Sequence, residues 1–337
     1  MLKTFKLTIA IGFSIALFIF NSGCSDKGKQ YSQPISKPQV IESVMAPDWG
    51  EPVLQMYEDL LGKYLNQKNM VNYRAWTSSK QDLLKLRQIV SSMTNVDTSK
   101  ISDQNELMAF YINAYNAMTL DLILMYYPQT LGQSLDPLPA RRSIRNVKGT
   151  SPEQKNGLNW EVWDKITWPT KWPIALIKLE ENKKAVVSLN EVEKKLLLPM
   201  GDARVHFALN CASLSCPPLS KNVFRATSLD KHLDELSYEF VNSGRDTSFD
   251  KENGHVYTSE IIKWYRADFI KSFQTQIEFF AKYIDVDKVG LSGEEIIKYC
   301  TKVVIDADTG VKTNKISNHC IKSKPYDWTL NETKESQ

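Results

Sequence analysis

Apolar residues return at three- and four-residue intervals along PVLQMYEDLLGKYLNQ (Pro52 to Gln67), the spacing of an amphipathic helix with one buried stripe. Within VNYRAWTSSKQDLLKLRQIVSSM a second helix is expected from about Ser79. A third, NELMAFYINAYNAMTLDLILMYYP, opens behind the cap-forming run Ser102-Asp103-Gln104-Asn105-Glu106 and stops at Pro128. It is apolar on nearly every side, which predicts a central, buried helix. Helical spacing recurs in LDKHLDELSYEFVNS and in IIKWYRADFIKSFQTQIEFFAKYI.

Strand patterns are fewer. Ile174–Leu179 and Ala185–Leu189 flank a polar turn as a hairpin would, and Asn190 is placed to cap a helix beginning at Glu191. RVHFALN alternates Val205, Phe207 and Leu209 against His206, Ala208 and Asn210, which predicts a strand. HVYTSE and the late segment YDWTLN are further strand candidates. Trp160 to Trp172 carries four tryptophans among prolines and reads as a loop packed on the core. Helices outweigh strands, and close hairpins favour antiparallel pairing. The expected class is α+β: a mostly helical single domain with a small antiparallel sheet and a central buried helix around residues 105–127.

The N-terminal pattern is of another kind. Lys3 and Lys6 precede the unbroken apolar run Leu7 to Phe20, shorter than the roughly 20 residues of a membrane-spanning helix. Asn21-Ser22-Gly23-Cys24 follows, and small residues directly before a Cys resemble a bacterial lipobox, with Asn21 where an aliphatic residue is usual. Residues 1–23 are therefore expected to be a lipoprotein signal peptide, with Cys24 acylated and held in a lipid bilayer. An uncleaved anchor and an ordinary secreted protein are the alternatives. Residues 24–50, polar and with prolines at 34, 38 and 47, suit a flexible tether. Residues 51–331 hold the globular domain, and 332–337 a polar tail. Ser25 after Cys24, where an Asp would favour inner-membrane retention, suggests an outer-membrane location facing the periplasm.

Charge narrows the partners. The formal net charge is +3, and losing Lys3 and Lys6 lowers it by two. A near-neutral chain offers no electrostatic case for nucleic acid. No glycine-rich phosphate loop and no Gly-x-Ser-x-Gly elbow occur, and nothing calls for a cofactor. Asp285-Val286-Asp287 and Asp306-Ala307-Asp308-Thr309-Gly310 hint at calcium loops, but neither has the oxygen ligand at position 5 or the Glu at position 12 of an EF-hand, and they read as turns.

The segments VNYRAW, ELMAFYINAYNAMTL, SIRNV, SLNEVEKKLL, RVHFALNCASLSCPPL and YDWTLN, in this order over residues 55–331, resemble the family known as domain of unknown function 547. The resemblance implies an α+β domain common in exported bacterial proteins, and it brings no established activity. Glu106, Asn113, Asn116, His206, Asn210, Cys211 and Cys216 match its polar motif positions. Ile284 to Lys324 looks like an addition to the family pattern.

Chemistry concentrates in VHFALNCASLSCPPL (Val205 to Leu219), which holds one of 4 histidines and two of 5 cysteines. Glu106 and Asn113 lie two helical turns apart on one stripe, with Asn116 one position round. His206 and Asn210 share a parity on the expected strand. These five side chains are either a structural network docking helix to sheet, or a cleft in which Glu106 orients His206. Cys211 and Cys216 admit four readings: a disulfide, a reactive thiol, inert buried thiols, or part of a metal site with His206, for which a fourth ligand is lacking. Sequence proximity favours pairing Cys211 with Cys216 and Cys300 with Cys320. A strand or a helix would keep Cys211 away from His206, so a Cys211–His206 dyad needs a sharp reversal near Asn210. His232 is expected to be solvated on a charged helix, and His255 and His319 have no evident partner.

Two functions follow. One is an envelope lipoprotein with a thiol-dependent hydrolase or transferase, in which Cys211 is the nucleophile, His206 the base, and Glu106 or an Asn the orienting group. The other is a non-catalytic binding or scaffolding module, with the polar cluster structural and Trp160–Trp172 as a partner surface.

Overall fold

Helix α1 (Glu51–Tyr64) starts where Pro52 sits in the first turn, a position whose N–H has no intrahelical partner to lose. It buries Val53, Tyr57, Leu60, Leu61 and Tyr64 along one stripe. After a turn and the short α2 (Tyr73–Ser78), α3 (Lys80–Thr94) opens at Ser79, whose side chain accepts from the Asp82 N–H. The buried Asp82 ties α3 to α1 by accepting from Lys63 at 2.6 Å and from the Tyr64 hydroxyl at 2.7 Å. The computed structural model describes residues 47–127, 176–180, 183–186, 189–307 and 309–333. The expected signal segment with Cys24, most of the expected tether and Trp160–Trp172 lie outside the described residues.

Helix α4 (Gln104–Tyr126) is the centre of the first core. Asp103 caps it by accepting from the N–H groups of Asn105 and Glu106. Its length and hydropathy would suit a membrane span, yet 94% of that stretch is buried inside the protein, the mark of a core helix. Around it pack α1, α3 and residues that include Leu189, Val192, Leu197, Val205, Ala208, Leu209 and Leu330.

The second core gathers phenylalanines: Phe207, Phe240, Phe269, Phe279 and Phe280. They come from α5 (Leu229–Asn242), α7 (Arg266–Phe273), α8 (Gln276–Tyr283) and the turn at Phe207, with α6 (Glu260–Trp264) leading into α7. The single expected helix from Ile261 to Ile284 is thus broken into three, at Tyr265 and at Gln274, whose φ is +65°. Helix α9 (Gly293–Tyr299) begins with a capping box between Ser292 and Glu295.

Among the described residues the strands form three small sheets. β1 (Leu176–Glu180) and β2 (Lys183–Val186) make the expected hairpin. β3 (Ser248–Asp250) and β4 (His255–Ser259) are antiparallel, and β5 (Thr301–Ile305) and β6 (Lys312–Ile316) form another hairpin. β7 (Ile321–Lys324) pairs parallel with β4, reached by a long crossover through helices and a hairpin. The fold is α+β and mostly helical, with this one parallel strand pair among antiparallel ones in the described residues. Cys300 and Cys320 are joined by a disulfide inside the second core. It closes a span of 20 residues, a cross-link that stabilises by about 3 kcal/mol through the unfolded chain.

Three local expectations differ. RVHFALN is not a strand: Ala203–Phe207 is a 3-10 helix whose Asp202 cap accepts from the Arg204 N–H. Its alternation has another cause. Val205, Ala208 and Leu209 pack into the first core while Ala203 and Phe207 pack into the second, so a segment wedged between two cores is apolar on both sides. Asn190 lies inside the turn Leu189–Glu191 instead of capping it, and the helix then widens into a π-helical stretch over Val192–Leu197. YDWTLN forms no strand: Leu330 makes an isolated bridge with Ser213, and Glu332, just past the segment, makes one with Val71.

Candidate functional site

The motif asparagines form a framework. Asn113 donates to the Phe224 carbonyl at 2.8 Å and accepts from the Phe224 N–H at 3.0 Å. Asn116 treats the segment after the 3-10 helix in the same way, donating to Ala208 O at 2.8 Å and accepting from the Asn210 N–H at 2.9 Å. Asn210 continues the chain, donating to Pro217 O and accepting from the Ala212 N–H and from Asn331. Tyr73 in turn donates to Asn331 at 2.7 Å. Each asparagine substitutes for backbone pairing in a place where neither helix nor strand supplies it.

This framework positions a small loop. Residues Ala212 to Ser215 run beside the C-terminal segment: Leu214 N–H donates to Thr329 O, Ser215 N–H to Asp327 O, and Asn331 N–H to Ala212 O. Arg245 closes the other side by donating to Cys216 O at 2.8 Å. Ala212 is held at φ +58°, a left-handed conformation that a non-glycine residue adopts at a cost of about 1 kcal/mol or more.

Cys211 and Cys216 are thiols, not a disulfide. Their sulfurs lie 2.8 Å apart, and the Cys211 N–H points to Cys216 Sγ at 2.9 Å. Cys211 is partly exposed and Cys216 is buried. The Cys211 sulfur also lies 3.2 Å from Ser213 Oγ and 3.2 Å from the Tyr326 hydroxyl, which are themselves 3.0 Å apart. Burial pushes the Cys211 thiol up, but donors from Cys216, Ser213 and Tyr326 outweigh it and bring the pKa down to about 7. Cys216 goes the other way, raised by burial and by the neighbouring Cys211. The Tyr326 phenol is also raised, first by burial and then by charge on the two sulfurs, so it stays protonated as a donor. Trp264, 39% exposed, and Trp328 pack around Tyr326 with ring centroids 4.8 and 4.5 Å from it. The thiol therefore sits beside an aromatic surface.

His206 belongs to a second constellation. Its Nε2 is 2.9 Å from Asp268 Oδ2, and the Tyr265 ring stacks on it at 3.8 Å. The Tyr265 hydroxyl donates to Glu193 at 2.5 Å. Burial pushes the Glu193 carboxyl up, against the Tyr265 hydrogen bond and the nearby His206. Glu193 comes from the π-helical stretch, a distortion frequent at functional sites. The Tyr265 phenol is itself raised, first by burial and then by Glu193.

The structure thus brings Asn116, Asn210, Cys211 and Cys216 together, with Asn113 on the same helix fastening the Phe224 segment. No hydrogen bond joins His206 to Cys211. Glu106 is exposed in the first turn of α4, and the carboxylate that orients His206 is Asp268. The reason is the 3-10 helix, which turns His206 toward α7 instead of α4. Of the two expected disulfides, Cys300–Cys320 is formed and Cys211–Cys216 is not. His232 is not solvated but half-buried, stacked on Phe224 at 4.3 Å with Ser220 Oγ 3.0 Å from its Nε2. Among the described residues no three His, Cys, Asp or Glu side chains gather as a metal site.

Several site residues escaped sequence reasoning. Ser213 lies inside the quoted motif and Tyr326 inside YDWTLN, so a signal for both was present. Tyr265 and Asp268 sit in a helical stretch some sixty residues from His206, with no pattern to mark them. Comparison with curated proteins and with solved structures gives no match. Tyr265, Asp268 and Tyr326 lie beyond the stretch that a known family covers: residues 98–241, with all the motif asparagines, His206 and both thiols, match the family described as Protein of unknown function, DUF547.

Proposed function

We propose that the chain is a cell-envelope lipoprotein whose domain performs thiol-dependent hydrolysis or group transfer at Cys211. The observation that carries the reading is the partly exposed Cys211 thiol held at a pKa of about 7 by three donors. Such a lowered pKa favours the thiolate, which attacks an electrophilic carbonyl without first passing its proton to a base. Tyr326 and Ser213, within 3.2 Å of the sulfur, are placed to donate to charge that moves from sulfur to substrate oxygen. His206, buried and turned to Asp268, is given no part in the transfer step. Trp264 and Trp328 offer an apolar flank for the acyl portion.

Incubation with p-nitrophenyl acetate tests this directly. The expected result is an acetyl group on Cys211, found by peptide mass mapping and absent in Cys211→Ala. An intact thiol together with no p-nitrophenol release above the Cys211→Ala background, in protein whose Cys211 alkylates rapidly, would contradict acyl transfer.

The lipoprotein part rests on Lys3, Lys6, the run Leu7 to Phe20 and Ser22-Gly23-Cys24. A disulfide between Cys300 and Cys320 fits a compartment outside the reducing cytosol. Acyl mass on Cys24 and release from the membrane fraction on Cys24→Ala are expected; a soluble wild-type protein would contradict the anchor.

One observation favours a binding or scaffolding module instead: Asn113, Asn116 and Asn210 spend their hydrogen bonds largely on main-chain atoms. Under that reading Cys211→Ala would leave the cellular phenotype intact.

A further inference from the structure

We propose that Cys211 and Cys216 form a reversible dithiol–disulfide couple that exchanges with disulfide-bearing substrates. The proposal rests on the nucleophilic Cys211 described above and adds a role for Cys216, which acyl transfer does not use. Four features carry it. The sulfurs are 2.8 Å apart, a short movement from the bonding distance of about 2.0 Å. Residue Cys211 is partly exposed and residue Cys216 is buried, which makes Cys211 the nearer of the two to solvent. The loop is already closed, with the Cys211 N–H on Cys216 Sγ and the Cys216 N–H on Ser213 O at 3.1 Å. Arg245 and Asn331 hold its two ends from outside, so bridging requires little chain ordering.

The uneven acidity supports the same order of events, with Cys211 lowered to about 7 and Cys216 raised. An attacking thiol works best when its pKa is near ambient pH. Ionised Cys211 attacks one sulfur of the substrate; the substrate S–S bond breaks and its other sulfur leaves as a thiolate that takes a proton from solvent. Cys216 then loses its proton to solvent, and its sulfur attacks Cys211 Sγ. The mixed disulfide breaks and the second substrate sulfur leaves as a thiolate that takes a proton from solvent. Two electrons have passed from the dithiol to the substrate disulfide, which ends as two thiols, and Cys211 is bonded to Cys216. Run in reverse, the oxidised pair makes a disulfide in a dithiol substrate.

Cys300–Cys320 provides the contrast. Both sulfurs lie in a sealed core at 0% exposure, with no route for a substrate thiolate.

The test uses the full chain, with Cys211 and Cys216 reduced, and oxidised glutathione as probe. Wild type is expected to end with a Cys211–Cys216 bridge and two glutathione thiols released, seen by intact mass and peptide mapping. Cys216→Ala, checked for folding by circular dichroism, should stop at a glutathione adduct on Cys211. Cys211→Ala should take up no glutathione. A wild-type adduct that persists on Cys211 beside a free Cys216 would overturn the couple and leave the nucleophile standing. Failure of Cys211 to take up glutathione while it still alkylates with iodoacetamide would also overturn it; failure of both reactions would remove the nucleophile as well.

Discussion

Asn116 and Cys211 stand at neighbouring points of one hydrogen-bonded network, yet their surroundings differ in kind. Asn116 is matched to a carbonyl and an N–H of the same chain segment, a pairing that nothing titrates and that exists to hold position. Cys211 is matched to side chains: another thiol, a serine and a tyrosine. Those partners favour one protonation state, on a residue that is partly exposed. A buried polar group saturated by main chain marks architecture; one balanced among side chains with shifted acidity marks chemistry.

The largest test of that contrast is Cys211→Ala. It should abolish acetylation and glutathione uptake while the melting temperature stays near wild type; a large loss of stability would make Cys211 architectural too. Asn116→Ala should do the opposite. It strands the Ala208 carbonyl and the Asn210 N–H, at a cost of about 3 kcal/mol, read as a lower denaturation midpoint. Tyr326→Phe removes one donor to the Cys211 sulfur. The pH at which alkylation accelerates should move upward from about 7, because the thiolate loses a partner; an unmoved inflection would exclude Tyr326 from tuning the thiol. The smallest effect belongs to Glu106→Gln. Glu106 is exposed, so stability should change by no more than about 0.5 kcal/mol and Cys211 reactivity not at all.

How much of this was legible in the chain follows physical lines. The helices announced themselves through spacing and caps, and α4 through its all-round apolarity, because those signals are local. Residues Ala203–Phe207 misled because a segment wedged between two cores imitates the alternation of a strand. Asn113, Asn116, Asn210, Cys211 and Cys216 stood out as polar residues in apolar surroundings. Their partners did not. The carboxylate facing His206 turned out to be Asp268, since the 3-10 turn aims the ring at α7, and helical periodicity in WYRADF says nothing of a ring 62 residues away. Tyr326 reaches Cys211 across 115 residues through backbone pairing of an irregular tail, which has no period to detect.

The most direct measurement is the rate of Cys211 alkylation by iodoacetamide as a function of pH, with modified residues mapped by mass. A single inflection near pH 7 is expected, with Cys216 slow throughout and Cys300–Cys320 still bridged. An inflection near the ordinary thiol value of about 8.5, or equal reactivity of Cys211 and Cys216, would contradict the assignment of Cys211 as the activated thiol.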